Sequence, residues 1–205
     1  YPQKLKEKDP HSWAIWPLIY QDPLRRVRAG EVDGYSGNPI GMAGKPSRHN
    51  LFGTNDLGED VFAKMIHGTR IALLIGFVST GIAAVIGIAI GAIAGFFGGW
   101  VDWFLSRIIE VMMCIPTLVL ILALISIIEK PTIWHLMVVI GAFGWTGIAR
   151  LTRAEFLKLR QLEYVAAARA LGFRWSRLMF RHILPNALAP VIVPITFGIA
   201  AAILL

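Results

Sequence analysis

Residues 71–97 read IALLIGFVSTGIAAVIGIAIGAIAGFF, a run of 27 residues without a charged side chain. As an α-helix this run would be about 40 Å long, which exceeds the roughly 30 Å hydrocarbon core of a bilayer. Further apolar runs occupy residues 111–128, 131–149 and 183–205. Because 56% of the residues are apolar and only 16% are charged, we predict an all-α membrane protein with about four spans in this sequence.

Both ends of the sequence fall at unusual places for a membrane protein. The chain opens at Tyr1 without an initiator methionine, and it stops at Leu205 inside an apolar run. We therefore expect part of the native protein, including helices at both ends, to lie outside this sequence.

The basic residues are concentrated in one segment, and they orient the predicted spans. Residues 150–181 hold eight Lys or Arg and two Glu. By the positive-inside rule this segment is cytoplasmic. Counting spans then places the link 98–107 in the cytoplasm, and Glu129, Lys130 and everything before Ile71 outside. The net charge of +7 is thus attributed to membrane topology, and no nucleic-acid partner is expected.

The external part is predicted as two segments. Residues 1–53 contain many Pro and Gly residues and are predicted to be irregular. Within residues 54–70, Asp56 is followed three residues later by Glu59, a spacing that resembles a capping box. This predicts an amphipathic helix from about Leu57 to His67, lying flat on the outer membrane surface. Packing against a neighbouring subunit would explain the same apolar face.

The remaining residues, 71–205, are predicted to form the transmembrane core, with a cytoplasmic segment at 150–185. In the first span, a small residue occupies every fourth position along one face. Small residues let helices in lipid approach each other closely. We therefore predict tight helix packing there, either within the chain or across a subunit boundary. The four positions are Ala83, Gly87, Gly91 and Gly95.

The second predicted span, residues 111–128, contains Pro116. A proline is tolerated in a membrane helix when neighbouring groups satisfy the freed carbonyl. Glu110 lies just before this span, and a charge so close to a span is often functional. We interpret Glu110 as an interfacial residue near Arg107.

Motifs for catalysis, metal binding and nucleotide binding are missing from the sequence. The stretch GNPIGMAGKPS at residues 37–47 departs from the phosphate-binding pattern at Pro39 and at Pro46. The five histidines are scattered without metal-ligand spacing. We therefore expect a non-catalytic chain without a metal or cofactor of its own, so that any uphill transport would draw energy from a partner or an ion gradient.

The cytoplasmic segment is longer than a turn between two helices requires. Val165–Leu171 is predicted to be a helix, Gly172 a turn, and a second helix is predicted from Arg174. Pro185 would then redirect the chain into the next span. Such a unit would present a rigid surface to another protein. The alternative is a basic helix on anionic lipid, but its alanine-rich half offers little apolar area. We interpret the arginines as orientation signals and solvated edges.

These residues resemble the loop shared by permease subunits of ATP-binding-cassette importers, which reads E-A-A-x-x-x-G followed by I-x-L-P. The Glu of that pattern falls on Ala166 and its Ile on His182. Both departures are typical of the oligopeptide and dipeptide permeases, which read A-A-R-A-x-G and H-x-L-P-N. The resemblance implies an ATPase-coupling site at Tyr164, Ala167, Ala168, Arg169, Gly172, His182, Leu184, Pro185 and Asn186.

The resemblance extends from about residue 46 to residue 194. It includes the G-T-N-D-L-G stretch at 53–58, the G-x-R at 68–70, and the G-G-W-V-D stretch at 98–102. It implies a type I importer permease fold in the bacterial inner membrane, as the second permease of a pair.

The implied complex has a second permease subunit, two cytoplasmic ATPases that carry ATP and Mg, and an external binding protein that delivers a peptide-like solute. Membrane lipid would surround the spans. The segment Tyr164–Pro185, which we call the coupling knob, would sit in a cleft of one ATPase. The alternatives are a self-contained secondary transporter or channel, which would need charges along its spans, and a membrane-anchored scaffold or receptor.

Overall fold

The computed structural model describes residues 51–55 and 59–204 of the 205-residue chain. The predicted irregular segment 1–53 therefore lies almost entirely outside the described residues, as does Asp56 of the predicted capping box. The chain divides into two compact units, residues 1–70 and residues 71–205, and each is described by itself.

In the first unit, a long helix begins at Val61. Thr54 and Asp60 form an isolated antiparallel bridge. The Asp60 carboxylate accepts a hydrogen bond from the backbone N–H of Phe62 at 2.8 Å, as a helix N-cap residue does. The predicted helix Leu57–His67 is wrong as a separate element, because the helix that starts at Val61 continues past His67 to Phe97. The apolar run that follows provides no residue able to stop it. The location of residues 57–67 on the outer membrane surface stays a prediction.

The described residues of the second unit are helical apart from short connections. Three helical stretches are long and apolar enough to cross a membrane: Val61–Phe97, Ile133–Leu159 and Trp175–Leu204. A bent pair of helices is a possible fourth span. The predicted all-α membrane architecture with about four spans is thus confirmed. The elements are α1 (Val61–Phe97), α2 (Gly99–Met113), α3 (Thr117–Ile127), α4 (Ile133–Phe143), α5 (Thr146–Leu159), α6 (Glu163–Ala170), α7 (Trp175–Arg177), a π-helical turn (Leu178–Ile183) and α8 (Leu184–Leu204).

The second predicted span is broken rather than straight. Helix α2 occupies the predicted link and ends at Met113, α3 starts at Thr117, and the two axes differ by 78°. Pro116 accounts for the break, because proline lacks an N–H and disfavours helical conformation at the preceding Ile115. The ion pair of Arg107 with Glu110 lies within α2 at 2.6 Å, with both side chains more than half exposed.

The prediction that Pro185 redirects the chain is wrong. The helical path from Trp175 to Leu204 is continuous, and Pro185 is the second residue of α8. In a regular α-helix its ring would clash with the carbonyl of Arg181. That carbonyl lies in the π-helical turn, where the Leu184 N–H bonds five residues back to Met179. The wider turn accommodates the proline within one continuous helical stretch.

The small-residue face of α1 lies against α5 of the same chain. A Cβ added at Gly87 would lie 2.8 Å from the Trp145 carbonyl oxygen and 2.8 Å from the Cβ of Ile148. Ala83 is buried in the same cluster as Trp145 and Ile148. Without Cβ atoms at the glycines, the two backbones approach more closely than larger residues would allow.

Candidate coupling site

The connection between the long helices is shorter than the predicted cytoplasmic segment 150–185. Residues 150–159 continue α5 without interruption, so the chain leaves its long helices only between Arg160 and Arg174. Helix α6 fills most of that interval. The basic residues of 150–159 therefore project from a spanning helix rather than from a loop.

The two halves of the knob share a buried core. Val165 and Ala168 of α6 are buried, and they belong to one apolar cluster with Leu178, Met179 and Ile183. Val165 and Ile183 have no exposed surface at all. The small alanine side chain lets α6 lie close to the π-helical turn. The knob is therefore a packed unit and not an extended loop.

Gly172 makes the turn between the two halves. Its φ angle is +76°, in the left-handed region that costs other residues strain. The N–H of Phe173 bonds to the Ala168 carbonyl at 3.2 Å and the N–H of Gly172 to that of Arg169 at 3.0 Å. Helices commonly end in this way when glycine follows the last turn. A Cβ at Gly172 would meet no atom within 4 Å, so the constraint there lies in the backbone alone.

The backbone carbonyl of His182 joins both halves of the knob to α8. It accepts a hydrogen bond from the Asn186 side-chain amide at 2.7 Å and one from the Tyr164 hydroxyl at 3.5 Å. The Phe173 ring lies 5.6 Å from the His182 ring, and the Arg177 guanidinium lies 4.3 Å from the Phe173 ring centre. Tyr164, His182 and Asn186 thus hold the knob together.

The exposed surface of the knob combines small side chains and the glycine turn with several large apolar residues and arginines. Leu171 is 75% exposed, and Trp175 is 56% exposed. Ala168 faces the knob's own core instead of its surface, which differs from its expected contact role. Leu184 and His182 are half-buried. The predicted site residues that are exposed are Tyr164, Ala167, Arg169, Gly172, Pro185 and Asn186.

Arg153 and Arg160 are not the solvated edges that the sequence suggested. The Arg153 Nη2 donates to one Asp102 carboxylate oxygen at 2.8 Å, and its Nε donates to the other oxygen. Arg160 donates to the carbonyl oxygens of Gly95 at 3.2 Å and Phe96 at 3.4 Å, the last turn of α1. Both arginines therefore tie α5 to neighbouring helices. The Asp in the G-G-W-V-D stretch was the one sequence signal for this contact.

A cavity of about 250 Å³ lies among α1, α3, α4, α5 and α8. Its walls include Ser79, Thr117, Ile121 and Gly198. The Ser79 hydroxyl is buried and has no hydrogen-bond partner among the described residues. Within residues 51–55 and 59–204, no group of three His, Cys, Asp or Glu side chains is placed to hold a metal ion.

The chain is similar to known transport proteins over most of its length. The family model of the binding-protein-dependent transport system inner membrane component matches residues 87–205. The dipeptide transport system permease protein DppC of Alkalihalophilus pseudofirmus is 37% identical over 167 residues, which cover 82% of this chain and 55% of that protein.

Two further relatives show a similar extent of match. The peptidoglycan transport system permease protein YejE of Agrobacterium fabrum is 41% identical over 204 residues, 98% of this chain and 51% of that protein. The oligopeptide transport system permease protein OppC of Bacillus subtilis is 35% identical over 158 residues, 77% of this chain and 52% of that protein. The chain spans about half the length of the curated relatives it matches.

Proposed function

The chain belongs to the family of binding-protein-dependent transport system inner membrane components, and on that premise we propose that it is one permease subunit of an ATP-binding-cassette importer. The names of its dipeptide and oligopeptide relatives support a peptide or peptide-like solute. The family and the apolar helices make it a multi-pass protein of the inner membrane.

One observation carries the coupling role. The buried cluster of the knob includes Ala92 of α1, Phe156 and Leu159 of α5, and Ala187 of α8, beside its own residues. Protein interiors are close-packed and transmit displacement with little compression. A force applied to the knob would therefore move three long helices together.

The outer surface of the knob fits a protein partner better than lipid. Ala167, Ala170 and Gly172 are exposed, and such small residues lose little side-chain entropy when a protein covers them. Leu171 projects from this surface and supplies one large apolar contact. We assign this surface to a cleft on a cytoplasmic ATPase.

The transport cycle that we propose is alternating access by rigid-body movement. Two ATPases bind ATP and Mg, and their closure shifts the knobs of two permease subunits. An external binding protein delivers the solute to the open pathway. ATP drives the change only through contacts that differ between the two states. No cofactor is assigned to this chain, and its part is mechanical.

The test uses Gly172→Trp in the intact transporter, with Gly172→Asn as the matched control. Both substitutions put a side chain on the left-handed turn, and Asn tolerates that conformation. Trp adds much more bulk than Asn to the partner-facing surface, where a Cβ at Gly172 meets no atom within 4 Å. We expect both variants to insert into the membrane. Gly172→Trp should lose the copurifying ATPase and solute-stimulated ATP hydrolysis, whereas Gly172→Asn should keep both. Retention of both by Gly172→Trp would refute the coupling role.

A further inference from the structure

We propose that Asp102 and Arg153 are positioning residues that transmit movement of the coupling knob to helices α2 and α3. The inference rests on the proposed function, because it concerns how the knob's movement reaches the membrane interior. The pair provides a second route for this movement, in addition to the route through the apolar cluster described above. That route is polar, directional and confined to two side chains on different helices.

Asp102 and Arg153 form a two-point ion pair. Two nitrogens of the Arg153 guanidinium meet the two oxygens of the Asp102 carboxylate. Such paired contacts hold both the distance and the relative orientation of the two groups. The side chains are 30% and 17% exposed, so solvent screens them only partly. Since 51 residues separate the pair, the contact is a tertiary one.

Arg160 fixes the same junction from a position about two turns further along the chain. Its guanidinium binds the carbonyls of Gly95 and Phe96 at the end of α1. Gly98 follows with a φ of +67°, and a Cβ there would collide with the Arg160 guanidinium. The corner between α1 and α2 is thus held by two arginines at the knob-proximal end of α5.

Beyond this corner, α2 leads to the cavity. Helix α2 ends at Met113, the chain bends by 78°, and α3 begins at Thr117. Thr117 and Ile121 of α3 form part of the cavity wall, together with Ser79 of α1. A helix pair with a break at its middle acts as a lever, because the backbone at the break absorbs a change of angle.

Helix α2 has a second carboxylate, which provides a control. Glu110 pairs with Arg107 three residues before it, and both side chains are more than half exposed. That pair stays within one helix, although the Glu110 carboxylate also attracts the Arg153 guanidinium electrostatically. Exposed ion pairs of this kind contribute little to protein stability. The position of α2 relative to α5 therefore depends on Asp102, together with apolar contacts such as that of buried Ile109.

The test compares Asp102→Asn, Arg153→Lys, the charge swap Asp102→Arg with Arg153→Asp, and Glu110→Gln in the intact transporter. Cys114 is the only cysteine of the chain and is exposed at the break between α2 and α3. With every other cysteine of the intact transporter replaced, a spin label on Cys114 reports movement there when a non-hydrolysable ATP analogue and Mg bind. ATP hydrolysis is measured with and without the binding protein supplied with a mixture of di- and tripeptides.

We expect the wild-type spectrum to change on nucleotide binding. In Asp102→Asn and Arg153→Lys that change should be lost, and the ratio of stimulated to basal hydrolysis should fall by about two- to thirtyfold. The charge swap should recover part of both signals, and Glu110→Gln should have a smaller effect than Asp102→Asn or Arg153→Lys, because Glu110 attracts Arg153 without sharing its paired hydrogen bonds.

Unchanged coupling and an unchanged label response in Asp102→Asn would overturn the proposal. Loss of the assembled complex in both Asp102→Asn and Arg153→Lys would also overturn it, in favour of a purely structural role. Failure of the proposed function is distinguishable, because Gly172→Trp would then leave stimulation at the wild-type level whatever the Asp102 variants do.

Discussion

Gly95 of α1 and Phe156 of α5 lie so close together that a Cβ added to Gly95 would sit 2.5 Å from the Cβ of Phe156. Phe156 has no exposed surface and belongs to the cluster that also contains the buried residues of the coupling knob. The missing side chain at Gly95 thus lets α1 pack against the buried cluster that includes the knob residues. The following predictions concern this core, its hydrogen bonds and its partner.

Gly95→Leu should lower the free energy of unfolding by about 1–3 kcal/mol, because the added side chain overpacks the contact with Phe156. Separation of α1 from α5 should also reduce coupling. Thermal unfolding of the purified protein in detergent measures the first effect. Gly81→Leu is the control, since a Cβ at Gly81 of the same helix meets nothing within 4 Å. Equal destabilisation by the two changes would show that the α1–α5 contact is not the cause.

Asn186→Ala should destabilise the knob by about 0.5–1.5 kcal/mol, the usual net value of one hydrogen bond. It removes the 2.7 Å donor to the His182 carbonyl. Tyr164→Phe should have a smaller effect, because its hydroxyl lies 3.5 Å from the same oxygen. Hydrogen exchange of the amides in residues 178–186 measures both. The opposite ranking would contradict the role given to Asn186.

Arg160→Met should loosen the last turn of α1, since it keeps the length of the side chain and removes its donors to Gly95 and Phe96. Faster hydrogen exchange is expected at residues 95–98, with a loss of stability of about 0.5–1.5 kcal/mol. Arg150→Met changes an exposed arginine on the same helix and should leave exchange there unchanged. If both variants behave alike, Arg160 does not cap α1.

The sequence predicted the features that depend on local composition. Uncharged runs such as 71–97 identify spanning helices because hydrocarbon excludes charge. Gly172 was recognisable as a turn because a helix rich in alanine stops there. The small residues of α1 indicate close packing, but they do not identify the helix that packs against them.

Features that depend on distant residues were not predictable in the same way. Arg153 resembles any other basic residue beside a span until the fold brings Asp102 to it. Pro116 is predicted to be tolerated within a span and Pro185 to redirect the chain, yet Pro116 breaks its span and Pro185 lies inside a continuous helical stretch. The difference comes from the π-helical turn before Pro185, which sequence patterns do not specify. The resemblance implies a contact role for Ala168, but the pattern does not show which alanines pack against the neighbouring turn.

The central claim is that the outer surface of the coupling knob contacts an ATPase, and site-specific photocrosslinking tests it most directly. A photoreactive phenylalanine analogue replaces Leu171, which is 75% exposed on the knob, or Phe197, which is 72% exposed in α8. In the intact transporter, we predict that the probe at Leu171 gives a covalent adduct with the nucleotide-binding subunit and the probe at Phe197 does not. Absence of the adduct at Leu171, or equal adducts at both positions, would contradict the claim.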